Sequence, residues 1–393
     1  MEKMVKNLHA GFLVHLILIG ILAYGFQLIF VYDWGAGFER GIILLAIVCF
    51  ISLKNSFRLP QIEGKQEAAL LYAVLFGLLC WQAYYFLSTY GSSQPIDVGE
   101  MTLLASELFW NSFGNPYTNR VVEEPFRYPG LFLEGYKFPP LTLFLYSPLV
   151  LTFKVRGLYI SNLLFHILTA IYIYKISNHL NGIKRAYHPA VPVILYLSSY
   201  LVLYELFRQG VNDILPTLLM LMSIYYFLKD NETRSALFLG ASLCTKWLPG
   251  FMFGLLLLSQ VKDKKRFVLY SVGIFALIVF PFLIWNYEGF ISNTILIYAL
   301  KPGDSTGFLF GMNEVLAKTM FLLFALLFLV VSLYYYLRKR NDRVSLIFFG
   351  VVLLTLFLIP LKENHGNHQI WLIPFFSISF NLLPLIKGRT SKD

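Results

Sequence analysis

The stretch SALFLGASLCTKWLPGFMFGLLLLS, residues 235–259, is apolar enough to cross a membrane, yet Lys246 and Pro249 interrupt it near its middle. An ammonium that deep in a straight span can hardly snorkel to the interface, and ionisable groups at membrane depth are costly. A helix broken before Pro249 lets the lysine face a cavity instead. Irregular backbone at that depth is tolerated only where protein or a watery cavity covers it. The stretch therefore predicts a polytopic helical membrane protein with a polar interior.

The rest of the chain agrees. Its 393 residues are 57% hydrophobic and only 14% charged, with a mean hydropathy of +0.64. A soluble domain carries about a quarter charged residues. Apolar runs long enough for about 30 Å of hydrocarbon recur throughout. They fall at 10–32, 38–53, 68–90, 138–153, 157–179 and 189–207. Further runs follow at 212–228, 235–259, 267–287, 317–337, 344–361 and 369–386. The expected architecture is an all-α bundle of about twelve (11–13) transmembrane helices forming one integral membrane domain over 1–393. No small-residue cleavage site follows the first run, so it reads as a retained helix. Cys49, Cys80 and Cys244 lie inside apolar runs and read as buried free thiols.

The net charge of +10 is strung along short loops, which argues for topology signals and against nucleic-acid binding. The basic loops KNSFRLPQIEGK (54–65), VKDKKR (261–266) and RKRNDR (338–343) and the tail KGRTSKD are expected in the cytoplasm, with both termini. Loops 91–137, 288–315 and 363–368 then face outward. The run 138–153 is short and holds three prolines with its flanks, so it and 235–259 are expected to be re-entrant or broken. A prokaryotic plasma membrane is the expected location.

Four polar clusters mark where chemistry would sit. In QPIDVGEMTLLASELFWNSFGNPY, Met101, Leu104, Ala105 and Leu108 form one helical stripe, with Glu100, Glu107 and Asn111 opposite. Asp97 is placed as an N-cap with Glu100 as in a capping box, and Gly114 and Pro116 end the helix. That is the structural reading; the functional one makes Asp97 a base for a hydroxyl proton. In RQGVNDILP (208–216), Asn212 or Asp213 starts a helix while Arg208 snorkels, or else Arg208, Gln209 and Asn212 reach a polar ligand. Lys246 is either neutralised by Glu205 or another internal acid, or offers a point charge to phosphate. KENHGNHQIWLIP (362–374) is a solvated turn capped by Asn367 or a ligand-binding loop; His365, His368 and Glu363 make only a poor zinc signature. The outer loop also carries Tyr117, Arg127, Tyr136 and Lys137, and Tyr287, Tyr298 and Lys301 read as interfacial anchors. No Walker or Rossmann phosphate loop is present in the sequence, which argues against a soluble nucleotide sugar or ATP as energy source.

The ordered set GNPY (114–117), YKFPPL (136–141), RQGVND (208–213) and LGASLCTKWLPG (239–250) resembles the polytopic GT-C glycosyltransferases, most closely glycosyltransferase family 87 and polyprenyl-phosphate-mannose-dependent mannosyltransferases. The likeness spans most of residues 90–260. The family's Gly-Gln order is inverted here to Gln209-Gly210, and three apolar runs rather than one precede the acidic loop. The resemblance implies a polyprenyl-phosphate sugar donor, a hexose such as mannose, and a lipid- or glycan-linked acceptor at the outer face. It implies an inverting displacement with Asp97 as base, Glu100 as its helper and His365 assisting at sugar or phosphate. Lys246 and Arg208 would stabilise the departing phosphate, and Gln209, Asn212, Tyr117, Arg127, Tyr136, Lys137 and His368 would bind substrate. Such chemistry needs no cofactor; a divalent cation on Asp97 and Glu100 is the alternative. The rival from another class is a flippase or transporter using the same polar cavity, which would be favoured by internal repeats and several deep charges.

Overall fold

The computed structural model describes residues 65–90, 93–121, 126–128, 131–133, 135–183, 188–297, 314–337, 343–358 and 366–379. The expected runs 10–32 and 38–53 lie outside them. Helix α1 (Lys65–Thr89) leads to the outer-loop helix α2 (Asp97–Ser112). A short antiparallel hairpin follows, β1 (Phe126–Tyr128) and β2 (Leu131–Leu133), with Arg127 opposite Phe132. This hairpin is an addition to the all-helical expectation, confined to the outer loop.

The bundle proper begins with α3 (Leu141–Phe153) and α4 (Val155–Ile183). Next come α5 (Ala190–Leu197), α6 (Tyr200–Arg208), α7 (Ile214–Leu228), α8 (Glu232–Leu243) and α9 (Trp247–Gln260). Then follow α10 (Lys264–Trp285), α11 (Tyr287–Ile291, continued by a π-helical turn Ser292–Leu296), α12 (Glu314–Leu337), α13 (Arg343–Leu358), α14 (Gly366–Gln369) and α15 (373–379). Helix α8 packs against α7 and α10, α4 against α7 and α3, and α2 against α3. Among the described residues, the segments Leu71–Thr89, Val155–Leu180 and Lys264–Trp285 are long and apolar enough to cross a membrane alone. Their outward faces are apolar, as with Leu277 on α10 and Phe76 on α1, which fits contact with lipid rather than water.

The run 235–259 is broken before Pro249 as expected, into α8 and α9, with the break at Cys244–Lys246. Pro249 sits in the first turn of α9, where a missing N–H leaves no helical bond unmade. The break's Cys244 carbonyl accepts the N–H of Leu141 at 3.0 Å, so the end of one helix and the start of another satisfy each other. The expected single span 189–207 is also divided: α5 and α6 bend by 59° around Ser198–Ser199. Ser199 caps α6 by accepting from Val202 N–H, a local alternative to continued helix that no apolar periodicity reveals. The run 138–153 is one short helix, joined to α4 through Lys154 alone, at a positive φ (56°, ψ −134°). Tyr287 begins α11 and is exposed, while Tyr298 and Lys301 lie outside the described residues. Of the thiols, Cys244 is buried, whereas Cys80 is exposed on α1, contrary to expectation, because the apolar run places it on the helix's outward face.

Candidate functional site

Helix α2 starts one residue before the expected place. Ile96 occupies the N-cap, in extended backbone, and offers no side-chain cap; its carbonyl accepts from Gly99 and Glu100 N–H. The chain is held there because Ile96 N–H donates to the Gln209 carbonyl at 2.9 Å. Asp97 is therefore the first helical residue rather than the cap. Its Oδ1 accepts the adjacent Val98 N–H, and its Oδ2 receives the Lys137 ammonium at 2.5 Å. A carboxylate in the first turn is favoured by the helix dipole wherever its side chain then points. The Asp97 side chain keeps 42% of its exposure while that of Lys137 keeps 11%, so the pair runs from an accessible acid to a covered cation. At the other end of α2 the left-handed residue is Phe113 (φ 49°), one before Gly114.

Lys246 stands in the α8–α9 break with extended backbone (φ −148°, ψ 132°), which turns its side chain away from the helix axis. Its ammonium donates to Asp213 Oδ1 at 2.7 Å, and the indole N–H of Trp371 donates to the same oxygen at 2.8 Å. Asp213 is wholly buried. The internal acid that balances Lys246 is thus Asp213 and not Glu205, and Asp213 makes no side-chain cap for α7 because its carboxylate is engaged across the bundle. The Phe138 ring bridges the two cations: Lys246 Nζ lies 4.5 Å from its centroid and Lys137 Nζ 5.7 Å. Lys246 interacts electrostatically with both Lys137 and Asp97 as well as with Asp213. Asp97, Lys137, Lys246 and Asp213 are therefore one cluster, two acids alternating with two cations.

The turn 208–213 that delivers Asp213 is built with care. The last five residues of α6 form a π turn, a feature frequent at functional sites. Gly210 is left-handed (φ +67°), and any Cβ on Gly99 would run into its carbonyl, so the first turn of α2 rests directly on this backbone. Asn162 of α4 donates to the Leu206 and Val211 carbonyls at 3.0 and 2.9 Å and accepts from Tyr146 OH at 2.7 Å. Asn212 donates to Thr102 Oγ1 at 2.9 Å, tying the turn to α2 a second time. Gln209 donates to Tyr204 OH at 2.7 Å, and Arg208 is exposed at the end of α6.

The remaining candidates divide. Glu100 is half-buried in the same turn as Asp97. Tyr117 is buried, its hydroxyl donates to the Phe138 carbonyl at 2.8 Å, and Asn293 holds its carbonyl at 2.9 Å. It fixes the backbone under Lys137 and Phe138, a bracing part rather than an open contact surface. Tyr136 is buried with its hydroxyl beside Thr102 and Thr142. Burial holds both phenols well above their ordinary range, so they stay neutral hydrogen-bonding groups. Arg127 lies in β1. His368, on α14, is half-buried with its ring centroid 4.9 Å from that of Trp371. His365 and Glu363 lie outside the described residues. The late loop does reach the cluster, through Trp371.

The Lys137 ammonium occupies Asp97 Oδ2. Among the described residues no group of three metal-ligating side chains forms. Sequence reading had passed over Asp213, Phe138, Trp371 and Asn162 as site residues. Asp213 carried the only available signal, an acid inside an apolar run with a lysine in the next, and it reads more simply as a cap.

The profile of glycosyltransferase family 87 matches residues 136–360, which is more than half of the chain. The chain belongs to glycosyltransferase family 87. The matched region contains Lys137, Phe138, Asp213 and Lys246 and excludes Asp97. Among solved structures, the fold is similar to that of ArnT from Cupriavidus metallidurans, which was crystallised bound to undecaprenyl phosphate. The TM-score is 0.52 at 12% identity, over 80% of this chain and 60% of ArnT, so the likeness is one of fold, and this chain spans about three fifths of ArnT's length. No curated protein matches the chain.

Proposed function

We propose that this family 87 enzyme transfers a hexose, mannose in the first instance, from a polyprenyl-phosphate donor to a lipid- or glycan-linked acceptor at the extracytoplasmic face, with inversion. The observation that carries the reading is the cluster itself: an accessible acid, Asp97, beside two ammonium groups that meet over the Phe138 ring. Displacement at an anomeric carbon needs a base for the acceptor hydroxyl and positive charge for the departing phosphate. Asp97 supplies the base and Lys246 the fixed cation, with Arg208 at the exposed mouth of the same turn. Glu100 is the helper nearest to Asp97, and His368 approaches the cluster from α14. The undecaprenyl phosphate held by ArnT supports a polyprenyl phosphate as the donor's carrier. One integral membrane domain, with basic loops and both termini cytoplasmic, carries the whole reaction.

The test is a membrane assay offering sugar-labelled polyprenyl-phosphate mannose and, in parallel, a labelled nucleotide sugar. Label is expected to reach the acceptor from the lipid-linked donor alone. Transfer from the nucleotide sugar after polyprenyl phosphates have been removed would overturn the proposal.

A further inference from the structure

The two lysines of the cluster are balanced in different ways. Lys246 is paired to Asp213, which is fully buried and also bound by Trp371, so the acid that pairs it keeps its charge throughout a glycosyl transfer. Lys137 is paired to Asp97, the one acid of the cluster that remains accessible. If Asp97 is the base, as read above, its charge is the one that the reaction alters.

We propose that Lys137 is a switching cation: paired to Asp97 in the resting enzyme, it is released to the donor phosphate as Asp97 takes the acceptor's proton. The charges balance. The acceptor oxygen bonds to the anomeric carbon and its proton passes to Asp97, which goes from −1 to neutral. The bond between that carbon and the phosphate oxygen breaks, and its electron pair stays on the oxygen, so a phosphodiester of charge −1 leaves as a monoester of charge −2. Total charge in the cluster is unchanged, while one negative charge moves from beside Lys137 to the phosphate. Lys137 need not travel far, because the ring 5.7 Å from its ammonium is the one that also carries Lys246 at 4.5 Å. The side chain is largely covered, so its attraction to whichever anion is present is little screened by solvent. Deprotonation of the acceptor and departure of the phosphate are thereby coupled through one ammonium group.

An asparagine at 97 imitates the protonated acid and removes the ion pair to Lys137 without any reaction taking place. Binding of undecaprenyl phosphate is therefore measured in detergent micelles near pH 8, where a phosphate monoester, with its second pKa about 6, is dianionic. The proteins compared are wild type, Asp97→Asn, Lys137→Met and the double variant. Asp97→Asn is expected to bind on the order of tenfold more tightly than wild type, the factor that about 1.4 kcal/mol of released ion pairing gives. The gain is expected to vanish in Asp97→Asn/Lys137→Met. Equal or weaker binding by Asp97→Asn, or a gain that survives loss of Lys137, would overturn the switch. Failure of the underlying reading looks different: Asp97→Asn would then still transfer sugar, whatever it binds.

Discussion

At the scale of single residues, the cluster depends on Asp213, whose carboxylate holds Lys246 and Trp371 together from three separate elements. Removing one member of a buried ion pair leaves an uncompensated charge, at a cost of about 3–5 kcal/mol, whereas removing both is far milder. Asp213→Asn is therefore expected to lower the thermal midpoint in detergent sharply, and Asp213→Asn/Lys246→Met to recover most of it while remaining inactive. A double variant no more stable than the single would mean that the loss does not come from an uncompensated Lys246. Trp371→Phe keeps the ring and loses one hydrogen bond to a charged group, about 1.5–3 kcal/mol, and is expected to weaken donor binding more than it slows turnover. A steady-state comparison of KM with kcat reads this directly. Lys246 and Asp97 were legible in the sequence because a charge in or beside a greasy run is costly and so conspicuous. Asp213 and Trp371 were not, because an acid before a helix and an indole near a membrane edge have ordinary explanations.

At the scale of elements, the site is a matter of how closely α2 lies on the turn before α7. Gly99 and Gly210 meet there without side chains, and Gly210 is left-handed besides. Gly99→Ala is expected to push α2 off the turn and cut transfer by an order of magnitude or more, since misplacement of about 1 Å can cost some 10²-fold. Gly77→Ala and Gly273→Ala, each with open space around the new methyl, are the controls and are expected to keep full activity and gain slight stability. An assay of all three variants in matched membranes decides it. The stripe of α2 and the break at Lys246 were readable, the first from 3.6-residue periodicity and the second from a misplaced charge. The bend between α5 and α6 was hidden, because Ser198 and Ser199 interrupt an apolar run without changing its hydropathy enough to register. The exact start of α2 was hidden for another reason: it is set by the Gln209 carbonyl, a partner more than a hundred residues away.

At the scale of the molecule, the polar cluster and the basic loop 261–266 should lie on opposite sides of the membrane. In a background freed of native thiols, cysteine at Asn119 is expected to react with an impermeant maleimide on intact cells. Cysteine at Lys262 should react only after permeabilisation, and labelling of both from one side would reverse the topology. The helical membrane class was legible from composition alone, and the GT-C resemblance from motif order; the division of charge between two acid–lysine pairs required coordinates. The central claim is that Asp97 is the base in a transfer from polyprenyl phosphate. It is tested most directly by single-turnover transfer of labelled sugar from polyprenyl-phosphate mannose, with wild type and Asp97→Asn compared at equal donor occupancy. Loss of a general base predicts a fall of about 10²–10⁴-fold in the rate of the chemical step, with donor still bound. Transfer by Asp97→Asn at the wild-type rate would contradict the account.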